Sequence, residues 1–246
     1  MLTWLAPYRV DCMSITSAFT FGFAHRYCAL DCKPTAPNPY FDSDSKSAFR
    51  DFGMRPTMTI AAETIEQARA LIDRGVAADA TDPKGSAYLV VTKDKARSSR
   101  APQFNKVQTA FGYRVPSFVL RTEGIKDRSD IMFYFTGTKS VPYLDSLTFL
   151  PGAVADHLTS HGGRLTGSNQ MNALEWLKAG ATGSYGAVVE PCNFPQKFPQ
   201  PEVLMRHYLA GDSLIEAYWK SVVWPGQGIF IGEPLSAPYR QTPLSD

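Results

Sequence analysis

The chain has 246 residues, of which 44% are apolar and 20% charged, and carries a net charge of +2. That balance excludes a disordered polypeptide and gives no electrostatic ground for a nucleic-acid partner, which needs a concentrated basic face. No run of about 18 apolar residues occurs, so no membrane span is read in this chain, and the length suits one large domain or two small ones.

The start, MLTWLAPYRVDC, has neither the basic n-region nor the long apolar h-region of a secretory signal. YRVDCMSITSAFTFGF is apolar and strand-like within a few residues of Met1, as if the chain begins inside a fold. Lys33 to Pro56 is rich in Pro, Asp and Ser without periodicity and reads as a long ordered loop. Residues 1–56 are therefore expected to form an N-terminal strand and loop continuing from an upstream region, and residues 57–246 an α/β domain.

From residue 64 the pattern becomes regular. TIEQARALIDRGVAAD spaces Ile65, Ala68, Leu71 and Ile72 as on a helix face, with Thr64 able to cap it and Gly75 able to stop it. AYLVVT (87–92) reads as a buried strand. The basic KDKARSSR (93–100) that follows reads as a solvated loop, and APQFNKVQTAFG as a helix. PSFVLR (116–121) and IMFYFTG (131–137) are further strands. GAVADHLTS fits a strand or a helical turn, and NQMNALEWLKAG is an amphipathic helix. GSYGAVVEP is a strand, PEVLMRHYLAGDSLIEAYWKSVV one or two helices, and GQGIFIGEPL a last strand.

Short apolar runs separated by helices predict a three-layer α/β sandwich with a mainly parallel central sheet. Such sheets carry their sites at the carboxyl ends of the strands. That rule selects Gly137, Ser160, His161, Gly162, Gly163, Glu190, Cys192 and Glu233, all expected on one rim. His161 and Cys192 would end adjacent parallel strands. As a dyad, the imidazole of His161 would be general base and the Cys192 thiolate nucleophile. Gly162 and Gly163 would supply backbone donors to an oxyanion. The competing reading has His161 finishing a strand and Cys192 packing or bonding to Cys12.

Other constellations are weaker. Cys28 and Cys32, four residues apart, suit a local disulfide or two separate thiols, and no second close Cys/His pair completes a zinc site. DHLTSH offers Asp156, His157 and His161, without the acidic base of a zinc-protease motif. TGSYG lacks the first glycine of a nucleophile elbow, which disfavours a Ser184, His207 and Asp212 triad. No glycine-rich phosphate loop occurs, and no cofactor or metal is read.

Long motifs carry a family resemblance: LTSHGG, AGATGSYGAVVEPCN, KFPQPEVL, LIEAYWKSVVWPGQGIFIGEPL and PYRVDCMSIT. Together they resemble a bacterial family without assigned activity, found in genomes that encode exosortase (PEP-CTERM) protein sorting. More distantly, HLTSHGG, GAVVEPC and IFIGEPL are similar to the strand ends of gingipain-like and caspase-like cysteine peptidases, with Glu233 where those carry Asp. The family commonly has Phe at the position of His161, and Pro191 stands where the peptidases have Ala or Ser. The resemblance implies an exported protein of caspase-like fold, extracytoplasmic in location and linked to surface protein sorting. Its cysteine-peptidase chemistry would be weak or absent, with a peptide or protein as substrate. The alternative is a non-catalytic module that binds peptide or glycan.

Overall fold

The computed structural model describes residues 12–22, 24–30 and 32–241. Its centre is the run Ile131 to Phe135, every side chain of which is fully buried. A strand this continuously apolar needs cover on both faces, and the sheet around it provides that. Six strands, β1 (Ser86–Val91), β2 (Ser117–Arg121), β3 (Arg128–Gly137), β4 (Leu147–Leu158), β5 (Gly183–Ala187) and β6 (Gly228–Gly232), form one sheet in the order β2-β1-β3-β4-β5-β6. The pairings from β2 across to β5 are parallel, and β6 alone runs antiparallel to its neighbour.

The helices are α1 (Ile15–Phe21), α2 (Ala48–Phe52), α3 (Ile65–Ala78), α4 (Ala101–Phe111), α5 (Leu174–Ala179), α6 (Pro201–Leu209) and α7 (Leu214–Ser221). Side chains alternate across β3 and β4, as the period of two demands. Tyr134 meets Trp176 of α5, whereas Phe133 meets Tyr208 of α6. Leu71 of α3 joins Leu174 and Leu177 of α5 over Ile229 and Ile231. The opposite face carries α4, α6 and α7. The α/β sandwich with a mainly parallel sheet read from the sequence is therefore present.

Several elements depart from the sequence reading. Ile15 to Phe21 is a helix where a strand was expected. The Ser14 hydroxyl caps it by accepting from the Ser17 N–H at 3.1 Å, and Gly22 closes it in the left-handed conformation. That local capping outweighs the β propensity of Ile, Thr and Phe; residues 8–11 and 23 of the expected strand lie outside the described residues. GAVADHLTS is strand, and β4 also takes in Leu147 to Pro151. Its register against β3 slips between Phe149 and Val154, so Pro151 and Gly152 sit in a bulge, where a missing ladder donor is tolerated.

Gly75 does not stop α3, which runs to Ala78. A side chain at position 75 would lie 2.6 Å from Glu233, so the glycine makes room for that carboxylate. Glu233 is itself misplaced in the sequence reading. Because β6 is antiparallel, Gly232 pairs with Gly183 at the start of β5, and Glu233 stands at the amino end of the parallel strands. It is buried there, accepts from the Leu235 N–H at 3.2 Å and has its carboxyl pushed up by burial.

Candidate functional site

The carboxyl rim of the sheet gathers the remaining predicted residues: Gly137 at the end of β3, Ser160 to Gly163 after β4, and Glu190 with Cys192 after β5. His161 and Cys192 thus follow adjacent, parallel strands.

Cys192 is not a thiol. It is bonded to Cys32, across a sequence separation of 160, and Cys12 is bonded to Cys28 across 16. Neither a Cys28–Cys32 bridge nor a Cys12–Cys192 bridge forms. A disulfide sulfur has no thiolate to offer, so the nucleophile assigned to Cys192 is absent in this state. Among the described residues no cysteine is free.

The loop bearing Cys192 is held from several directions. Cys192 and Asn193 both occupy the left-handed region, with φ of 55° and 57°; this costs roughly 1–2 kcal/mol for Cys192, whereas asparagine adopts it more readily. Surrounding contacts impose it. The Glu190 carboxylate accepts from the Cys192 N–H at 2.8 Å, and the Glu190 carbonyl accepts from Gln227 Nε2 at 3.3 Å. Glu190 is therefore engaged in shaping its own turn.

Gly162 and Gly163 have a packing role. The Gly163 N–H donates to the Ala187 carbonyl at 2.8 Å, and the Gly162 carbonyl accepts from the Ala173 N–H at 2.7 Å. Side chains at Gly163 or Gly186 would collide with the facing backbone. Two glycines, Gly163 and Gly186, let the exit of β4 press onto β5, and the oxyanion donor expected from Gly163 is already committed.

His161 is held by its backbone. Its N–H donates to Gln170 Oε1 at 2.9 Å, the same oxygen that accepts from the Thr159 hydroxyl at 2.8 Å; Arg97 Nε in turn donates to that hydroxyl at 2.9 Å. Partial burial and the Arg164 guanidinium lower the imidazole pKa, while Glu190 opposes them. The shift favours the neutral imidazole, and Cys192, on the next strand's loop, has no thiol for it to deprotonate. Ser160 is half-buried in the same turn. Gly137 lets the 93–98 loop lie over the end of β3, since a side chain there would strike the Arg97 carbonyl. The Thr92 hydroxyl fastens the junction by donating to the Gly137 carbonyl at 2.6 Å.

The other constellations are structural. Asp156 and His157 point to opposite faces of β4. Asp156 pairs with Arg100 at 2.5 Å, both fully buried; burial pushes its carboxyl up and Arg100 opposes that. Trp176 Nε1 donates to His157 Nδ1 at 2.9 Å, which leaves Nε2 protonated and donating to the Met171 carbonyl at 3.1 Å. With both nitrogens used and burial dominant, the His157 pKa falls to about 4. His207 does meet Asp212, at 3.1 Å through Nδ1, but its Nε2 faces Asp42 at 3.2 Å instead of a serine. Asp212 also takes Lys220 Nζ at 2.6 Å and Lys46, so this network fastens the 33–56 excursion to α6 and α7.

One residue that the sequence did not single out stands in the rim. Lys197 is 1% exposed, its Nζ has no hydrogen-bond partner, and burial lowers its pKa to about 8 against the pull of Glu190. Its place in KFPQP between phenylalanines was the available signal. Among the described residues no group of three or more His, Cys, Asp or Glu is placed to hold a metal, and no helix is long and apolar enough to cross a membrane.

Comparison with protein-family models, with curated proteins and with solved structures gives no match.

Proposed function

We propose that the chain is a non-catalytic binding or assembly module with a caspase-like α/β fold, working outside the cytoplasm with a surface protein-sorting pathway. The caspase-like part of this reading is supported by His161 and Cys192 following adjacent parallel strands, β4 and β5, as the sequence resemblance implies. The extracytoplasmic part draws on the same resemblance, and two disulfides fit an oxidising compartment.

The observation that carries the non-catalytic part is the Cys32–Cys192 bond. It removes the nucleophile while Gly163 spends the expected oxyanion donor on β5. Non-reducing peptide mapping with thiol alkylation tests the reading. The expected outcome is no alkylated cysteine and no cleavage of a degenerate peptide library. A Cys192 that alkylates in the isolated protein, with labelling that drops in His161→Ala, would restore the peptidase and overturn the module.

A further inference from the structure

The other end of the same rim, at β1 and β2, is built differently. β2 is the edge of the sheet and pairs with β1 alone. The Ala87 N–H donates to the Pro116 carbonyl and the Thr122 N–H to the Val91 carbonyl, so even-numbered residues of this segment address β1. By alternation, the backbone N–H and C=O of Ser117, Val119 and Arg121 face away from the sheet. Among the described residues only the Ser117 carbonyl is taken there, by Gln108 Nε2 at 2.8 Å. An edge with outward donors and acceptors is a template for an extended chain.

At its carboxyl end the edge runs into an open groove lined by Thr92, Lys93, Lys95, Ser98, Arg121 and Thr122, with Val91, Ala101 and Pro102 as its apolar part. Lys93, Lys95 and Arg121 are all exposed, and among the described residues none of the three forms an ion pair. Glu123 is the one carboxylate in the lining, and its oxygen already accepts from the Lys93 backbone N–H at 3.1 Å. Three cations line one concavity against that single carboxylate, which leaves an excess of positive charge there. The geometric reason is that the Arg97–Asp94 pair, at 2.7 Å, turns the only acid of the 93–98 loop back on its own turn.

We infer that β2 and this groove together form a docking site for an extended acidic peptide segment, which adds as a strand along Ser117–Arg121 and seats its carboxylates over Lys93, Lys95 and Arg121. Backbone pairing supplies affinity without sequence preference, and the cations select for acidic side chains. The inference rests on the reading of the chain as a binding module and names its ligand.

The test measures fluorescence anisotropy of a labelled Glu-Glu-Glu-Thr-Val-Thr-Val-Thr-Glu-Glu-Glu peptide against the intact, oxidised protein, with mass spectrometry of the peptide afterwards. The symmetric sequence places acids over the groove in either direction of pairing. Saturable binding is expected that weakens with salt. It should weaken at least about tenfold in a Lys93→Glu/Lys95→Glu variant. The same loss is expected when alternate amides of the peptide are N-methylated, which leaves the protein untouched, and when Val119→Pro removes an outward donor that β1 does not use. No binding above that of the Lys-for-Glu peptide would overturn the inference. So would equal binding of the N-methylated peptide, since the groove would then be a general polyanion site. Cleavage of the probe would instead sink the non-catalytic reading; an intact but unbound probe sinks this inference alone.

Discussion

The two halves of the sheet's carboxyl rim differ in how many of their polar atoms are already engaged. Around β4 and β5 the groups that look catalytic in sequence have partners inside the molecule, Lys197 Nζ being an exception nearby: Gly163 with Ala187, Gln170 with Thr159 and His161, Glu190 with Cys192, and Cys192 with Cys32. Around β1 and β2, the side-chain cations of Lys93, Lys95 and Arg121 and the outward backbone of Val119 have none among the described residues. The half that looks catalytic in sequence spends its chemistry on holding itself together. The half that looks like an ordinary solvated loop keeps its chemistry available. Buried polar groups must be satisfied at once, whereas exposed ones can wait for a ligand.

Substitutions test that contrast. The largest effect is expected beneath the crowded half, where Asp156→Ala strands the buried Arg100 guanidinium and should cost about 3–5 kcal/mol, read from the denaturant midpoint. If the cost were under about 1 kcal/mol, the packed half would not depend on its internal pairs.

Next comes the covalent tie. Cys32→Ser/Cys192→Ser should lower stability by about 2–4 kcal/mol without altering binding at β2. Loss of binding in that variant would mean that the two halves are coupled.

A comparable effect should follow pH. His157 is neutral in the folded protein, with a pKa lowered from 6.5 to about 4, so below pH 6.5 the unfolded chain takes up a proton that the folded one refuses. Stability on this account is complete above pH 6.5 and is lost as pH falls toward 4, by ~3 kcal/mol in all. His157→Gln should flatten that limb of the stability curve, and an unchanged slope would assign the loss to other groups.

The smallest effect belongs to the open half. Lys93→Ala, Lys95→Ala and Arg121→Ala should each shift stability by no more than about 0.5 kcal/mol, measured by thermal unfolding. A larger loss would show that these cations are structural after all.

The architecture was legible because its signals are local. The apolar run of β3, the Thr64 cap of α3 and the amphipathic pattern of α5 each name their own element. What was illegible depends on partners distant in sequence. GIFIG reads identically whether it pairs parallel or antiparallel, so the direction of β6, and with it the place of Glu233, could not be read. Four cysteines admit three pairings, and the spacing of Cys28 and Cys32 pointed to one that the fold does not use. A Gly-Gly pair after a strand looks the same whether it cradles a ligand or meets another backbone. Here Gly186, on a different strand, decided between them. Burial of Lys197 has only a faint mark in the sequence, its flanking Phe194 and Phe198, because the contacts that cover the amine come from distant segments.

The bond between Cys32 and Cys192 also sets a timetable for biosynthesis. Cys12, Cys28 and Cys32 leave the ribosome close together, while the last partner is still 160 residues from appearing. Three thiols then wait with one correct local mate between them, and oxidation of Cys28 to Cys32 is the nearest error on offer. A Cys28–Cys32 bond formed first is undone by attack of another thiol, so from that state the native pairing is reached through thiol–disulfide exchange.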